Sequence, residues 1–373
     1  MRIAIDARYV RERPSGIGAY VRALIERVPK FSPEHRFLLW RDPRAPQRLS
    51  SRPNVAQCTV STPANSIGTL AWPTRLADMR DVDVFHAPFN LLGRGIQCGT
   101  VTTIHDLMWL TAPHLCETPS PLTPVFRRFY GAGIRRALKH SSRIIAISKA
   151  TADAIRLVAP EASPRVRVIH HGIDARFTPG KADAAAVTGR EGDYFLVVGQ
   201  NSPSKSHADI LEAFAAADLP KTTSLVLLQR LYQKGRFGLS KRSALAPLAE
   251  RLGIADRVVW LSGIDNEAVV TLLRGAQALV QFSRYEGFGM PLLEAAACGT
   301  PVIASDIAPL VEVSGGAALH VPLLTAELAR AMGRVGQSTA FRQELSERGL
   351  QRARDFSWDK CAESHLECYR EAG

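Results

Sequence analysis

From end to end, this 373-residue chain alternates short apolar runs with longer helix-like stretches. The short runs are "RIAIDA", "RFLLW", "NVAQCTV", "DVFHAP", "TVTTIHD", "RIIAIS" and "RVRVIHHG" in the first half. In the second half they are "DYFLVVGQ", "SLVLLQ", "RVVWLSG", "ALVQFS", "PVIAS" and "ALHVP". Several are nearly continuous in apolar residues, as strands covered on both faces should be. Patterns such as "AYVRALIERVP", "ADILEAFAAA" and "NEAVVTLLRGA" lie between them and can supply that cover. This order specifies βαβ units, so the expected fold class is α/β with doubly wound parallel sheets. The length implies two domains. The pattern weakens over 176–193, "RFTPGKADAAAVTGREGD", which has few large apolar residues. The linker is therefore placed at 176–192, between a first domain at 1–175 and a second at 193–355. Residues 356–373 form a last helix, expected to cross back onto the first domain. Ligand sites in such sheets lie at the carboxyl ends of the strands.

Charge narrows the partners. The formal net charge is +12. Residues 1–180 hold 26 Lys+Arg against 13 Asp+Glu, and the remainder holds 21 against 22. The whole excess lies in the first half, which suits phosphates, an anionic membrane surface or nucleic acid. No basic helix with base-reading spacing and no aromatic stacking module supports nucleic acid. The stretch "FRRFYGAGIRRALKH", 126–140, mixes aromatics with arginines and is either a solvated helix face or a contact for an anionic surface. No apolar run reaches the ~18 residues of a membrane span. The chain opens directly on a strand with no signal peptide, so a cytoplasmic protein is expected. The six cysteines (58, 98, 116, 298, 361, 368) show no C-x-x-C and no zinc spacing. They read as reduced thiols.

The stretch with most chemistry is "RYEGFGMPLLEAAACGTPVIAS", 284–305. Gly287 and Gly289 allow a sharp turn, and Pro291 suits the first turn of a helix. Gly299 and Pro301 end that helix before a buried strand. Glu286 thus sits in the turn and Glu294 about one helical turn inside. The helix N-terminus directs free N–H groups at whatever the turn encloses, which suits a phosphate. A carboxylate at the same place more plausibly accepts from hydroxyls, and a ligand with both groups is a sugar nucleotide. A glutamate there is also often only a partner of the helix dipole. The neighbouring motifs decide.

With those neighbours the chain resembles a family 4 glycosyltransferase of the retaining kind. The motifs are "SGIGAYV", "TTIHD", "HHGID", "LVVGQNSPSK", "EGFGMPLLEAAACGTPVIAS" and "FSWDKCAESHLECYRE", in that order over nearly the whole length. The resemblance implies the GT-B architecture, two facing Rossmann-like domains with a cleft between them. The second would bind the sugar nucleotide and the first the acceptor, often a lipid-linked saccharide. It also implies that Glu286 contacts hydroxyls of the transferred sugar and that Glu294 holds the ribose. Backbone N–H groups at Phe288, Gly289 and Met290 would meet the sugar and phosphates. Gly263 and Ile264, in the turn 262–264, would lie near the base. Gly16 and Gly18 would let backbone approach the diphosphate and the acceptor, His105 would position the donor sugar, and Lys205 would neutralise the leaving diphosphate.

The sequence departs from the family at one place. The usual Pro-Arg-Lys-Asn is here Pro203-Ser204-Lys205-Ser206, without the arginine. Arg230, or else Lys234, is expected to supply the missing charge. The D-x-D at 81–83 leads straight into a strand and reads as structural, so no metal and no cofactor is expected. The function expected is hexosyl transfer, mannose from a GDP-sugar first and a UDP-sugar next, in polysaccharide or lipopolysaccharide synthesis. The setting would be cytoplasmic, with peripheral contact to the inner membrane face. The alternatives are a GT-B sugar-nucleotide epimerase and, from charge alone, a nucleic-acid-binding protein.

Overall fold

The computed structural model describes residues 1–11, 16–116, 121–229 and 245–373. The chain forms two compact units. One is built from residues 1–113, 119–172 and 356–373, the other from 114–118 and 173–355. The chain therefore passes between them at 172/173 rather than within 176–192. The weakly apolar stretch is held to the second unit: α6 (Ala184–Thr188) packs on α9 (Asn266–Gly275), and the Arg274 guanidinium donates to the Thr178 carbonyl at 2.7 Å.

The first unit is a seven-stranded sheet with order β3-β2-β1-β4-β5-β6-β7, every pair parallel. Its strands are β1 (Arg2–Ile5), β2 (Arg36–Arg41), β3 (Val55–Thr59), β4 (Val84–Ala87), β5 (Gly99–Ile104), β6 (Arg143–Ala146) and β7 (Val166–Val168). Its helices are α1 (Gly16–Phe31), α2 (Ile67–Ala71), α3 (Met108–Thr111), α4 (Thr123–His140), α5 (Lys149–Val158) and the C-terminal α14 (Trp358–Ala372). The D-x-D spends both carboxylates on β1: Asp81 pairs with the Arg2 side chain at 3.1 Å, and Asp83 accepts from its backbone N–H at 2.7 Å.

Helix α14 docks on α1 and β5 through a buried polar chain. His365 Nδ1 lies 2.7 Å from the Cys361 carbonyl and its Nε2 2.7 Å from the Tyr20 hydroxyl. Tyr20 lies 2.8 Å from Thr103 Oγ1, which lies 2.9 Å from His86 Nε2, while His86 Nδ1 is 2.8 Å from the Tyr369 hydroxyl. A carbonyl only accepts, so His365 Nδ1 carries its proton and Nε2 accepts from Tyr20. The remaining protons then run from Tyr369 to His86, from His86 to Thr103 and from Thr103 to Tyr20. Each donor is used once, and both imidazoles are neutral. Burial agrees, pushing His86 well below the usual histidine range and His365 down to about 4.

The second unit is a six-stranded parallel sheet with order β10-β9-β8-β11-β12-β13. Its strands are β8 (Tyr194–Val198), β9 (Ser224–Leu228), β10 (Val258–Leu261), β11 (Ala278–Gln281), β12 (Val302–Ser305) and β13 (Leu319–Val321). Besides α6 and α9, it carries α7 (His207–Ala216), α8 (Ala246–Arg251), α10 (Met290–Ala297), α11 (Ala308–Ser314), α12 (Thr325–Gln337) and α13 (Thr339–Ala353). Phe195, Phe214, Leu225, Phe282, Ile303 and Met332 belong to its core. In each sheet the strand order reverses once, at β1/β4 and at β8/β11. Those switch points are where an open parallel sheet leaves a crevice beyond its strand ends.

Candidate active site

At the β8/β11 switch, two loops meet. The loop after β8 ends in the turn Pro203–Lys205 and leads into α7, with Ser206 at the N-cap in the left-handed region (φ 48°). The loop after β11 runs through Glu286 to Gly289, the N-cap of α10. The Arg284 N–H donates to the Ser204 carbonyl at 2.8 Å and ties the two loops together. Two helix N-termini thus flank one spot. Gly289 stands at φ 102°, and a Cβ there would lie 2.5 Å from Leu310 Cδ2, so this cap needs glycine.

The spot holds an ion pair. The Lys205 ammonium donates to Glu286 Oε1, which also accepts from Gln281 Nε2 and Ser283 Oγ, each at 2.8 Å. Three donors fix one carboxylate oxygen and leave Oε2 outside these bonds. Burial alone would raise the pKa of this carboxyl, but the charge and hydrogen bond of Lys205, with the Gln281 and Ser283 bonds, hold it below the ordinary value. Glu286 is therefore an ionised acceptor at neutral pH.

Sequence reasoning found both members of the pair but not their contact, and it missed the Gln281 and Ser283 supports. Their signal was a polar residue at the end of an otherwise apolar strand. Phe288, Gly289 and Met290 stand at the start of α10, and Glu294 lies one turn inside it. Gly263 (φ 70°) and Ile264 follow β10, the edge strand of this sheet. Arg230 and Lys234 lie outside the described residues. Ser204 is buried with its hydroxyl 2.9 Å from Ser202 Oγ, so the place of the absent arginine is a neutral contact. The nearby Arg284 guanidinium is paired with Asp209 of α7 at 2.7 Å.

In the first unit, Gly16 and Gly18 lie in the first turn of α1, not in a loop, and neither has positive φ. The helix starts three residues before the pattern that begins at Ala19. His105 follows β5 and is buried. Its backbone N–H donates to Asn90 Oδ1 at 2.7 Å and its Nε2 to the Pro88 carbonyl at 2.8 Å. Burial takes its pKa down to about 4, so this imidazole is neutral. At the β1/β4 switch beside it, the Tyr9 and Phe89 rings lie 5.3 Å apart. The Trp109 and Tyr130 rings, from α3 and α4, stack at 4.8 Å and 18°. The four rings are half-buried, and Phe89, Trp109 and Tyr130 pack against the core of the first unit. The sequence hid them because they come from four separate segments. Arg8, fully buried, clamps this end: it chelates Asp6 at 2.7 and 2.5 Å and donates to the Thr62 carbonyl and Thr69.

Two Rossmann-like parallel-sheet domains, the second carrying an ion pair at its switch point, define the GT-B class. Comparison with known proteins gives the family. The family model "Glycosyltransferase Family 4" matches residues 14–177 and "Glycosyl transferases group 1" matches 182–352. A D-inositol 3-phosphate glycosyltransferase of Mycobacteroides abscessus is 33% identical over 73% of this chain, which spans 60% of that relative's length. O-antigen chain mannosyltransferase B of Escherichia coli is 25% identical over 80% of this chain and 76% of its own. Among solved structures, Anabaena Alr3699/HepE, in complex with UDP and glucose, superposes with a TM-score of 0.70 at 18% identity, covering 98% of both chains. The chain belongs to the group 1, family 4 glycosyltransferases.

Proposed function

We propose that the chain is a retaining glycosyltransferase that moves a hexose, in the first instance mannose, from a nucleoside-diphosphate sugar to a saccharide or lipid-linked saccharide. The setting is polysaccharide or lipopolysaccharide synthesis at the inner face of the cytoplasmic membrane, without a bound metal. The observation that carries the reading is the Lys205–Glu286 pair between the N-termini of α7 and α10. A donor diphosphate entering between those termini meets free N–H groups, and the Lys205 ammonium shifts from carboxylate to phosphate as leaving-group charge develops. Glu286, oriented by Gln281 and Ser283, accepts from sugar hydroxyls through Oε2, and Glu294 accepts from the ribose. His105, neutral and held by Pro88 and Asn90, positions the donor sugar rather than acting as a base. The mannosyltransferase relative supports mannose, and the UDP-bound neighbour supports a nucleotide donor.

The test is thermal shift with UDP, GDP, ADP, dTDP and CMP, with and without EDTA, on wild type and Glu294→Ala. A ligand at a hundred times its dissociation constant adds about 2.7 kcal/mol. One diphosphate should stabilise the wild type, ignore EDTA and lose its effect in the variant. No response to any of these, nor to the intact sugar nucleotides, overturns the reading.

A further inference from the structure

Helix α4 carries a charged face that the site above does not use. It buries Gly131, Gly133, Ile134, Ala137 and Leu138 on one side. Val125, Arg128, Ala132, Arg135 and Lys139 recur at helical spacing on the other side, and all five are exposed. The helix contains no acidic residue, and residues 84–152 hold eight Lys+Arg against two Asp+Glu. Among the described residues no carboxylate pairs with Arg94, Arg128, Arg135, Arg136 or Lys139; the flanking ion pairs belong to Arg143 and Arg156. The Arg136 guanidinium donates to the Gly93 carbonyl at 3.2 Å, which sets it beside Arg94, and burial and that second cation both lower its pKa.

Apolar side chains border this charge. Leu122, Val125 and Phe126 are exposed at the start of α4, and Ile67 and Trp72 are 70% and 53% exposed at the two ends of α2. The α2 segment and α4 are one surface: the Arg94 N–H donates to the Leu70 carbonyl at 2.7 Å, and Gly133 faces Leu91 and Leu70. A soluble anion would need the cations but gains nothing from exposed leucine, phenylalanine and tryptophan. An anionic bilayer uses both, with cations on the lipid phosphates and apolar tips in the headgroup layer.

We propose that the α2–α4 face of the first unit docks on an anionic lipid bilayer. This deepens the reading of a lipid-linked acceptor, yet it is tested without donor or acceptor. Full-length protein is sedimented with vesicles of pure phosphatidylcholine and with vesicles carrying about 30 mol % phosphatidylglycerol. The wild type should partition to the anionic vesicles alone and be released as salt rises to about 0.5 M. The triple variant Arg128→Glu, Arg135→Glu, Lys139→Glu should lose partitioning on the order of a hundredfold. Trp72→Ser with Phe126→Ser, which leaves the charge unchanged, should weaken it several-fold. Wild type that ignores anionic vesicles, a triple variant that binds as wild type, or release by inorganic phosphate at matched ionic strength overturns the proposal, the last by assigning a soluble-phosphate site. Unchanged melting temperature and unchanged nucleotide-diphosphate shift in both variants show that the fold and the second unit are intact. A wild type without that shift bears on the proposed function and leaves the vesicle result standing.

Discussion

Glu286 concentrates three donors on one oxygen, and that asymmetry makes it testable. Glu286→Gln keeps the shape but removes the charge that answers Lys205. We expect kcat to fall on the order of 10²–10³, with donor affinity reduced far less. Lys205→Ala should cost kcat on the same order. It should also move the acid limb of the pH–rate profile upward, because the Lys205 ammonium is the main influence holding the Glu286 carboxyl down against its burial. An acid limb unmoved by Lys205→Ala would separate the two residues functionally. At this scale the sequence named Glu286 and Lys205, which the structure brings together in one ion pair. It was silent on Gln281 and Ser283, which read there as the end of an apolar run. Their role depends on where a turn brings the carboxylate back, and linear spacing does not contain that.

Among the elements, α10 depends on one residue at its N-cap. Gly289→Ala combines positive φ with a Cβ 2.5 Å from Leu310. We expect a loss of about 2 kcal/mol in a denaturant melt, together with loss of the diphosphate-induced shift. In the first unit, Trp109→Ala should cost about 2 kcal/mol in a denaturant melt, because its ring stacks on Tyr130 and packs against the core; an unchanged melt would remove the stacking role. All thirteen runs are strands; a parallel strand covered on both faces writes its burial directly into composition, whereas β3 and β7, at the edges of their sheet, hold no buried residue. The order of strands was not legible, since it depends on which crossover packs on which face. Nor was the start of α1: Gly16 and Gly18 have low helix propensity, yet the helix begins at Gly16. The passage at 172/173 was not legible because "HHGID" follows a strand without a break in pattern, whereas the stretch at 176–192 has few large apolar residues.

At the level of the whole molecule, the buried histidines set the acid limit of stability. The folded-state pKa values of His105 and His365 are lowered to about 4, below the unfolded value near 6.5. Folded protein then binds fewer protons than unfolded. The stability is fully present above about 6.5 and is lost as pH falls toward 4. Each such histidine removes about 1.4 kcal/mol per pH unit in that window. Melting temperature should therefore drop between pH 6.5 and 5, before most carboxylates titrate, and a flat profile there would contradict the neutral network. That same network has a temporal meaning. The pocket that receives His365 and Tyr369 is built from residues before position 104, and Gly172 lies so close to the backbone of Trp358 that a Cβ on it would stand only 2.0 Å from the Trp358 nitrogen. A ribosome delivers the receiving surface first and its occupant only after the second unit. The first unit must wait, incomplete, while the entire second unit is synthesised and folds. Chains stalled or clipped before Phe356 should be recognised by chaperones and proteases as unfinished, whereas a stop after Tyr369 should pass.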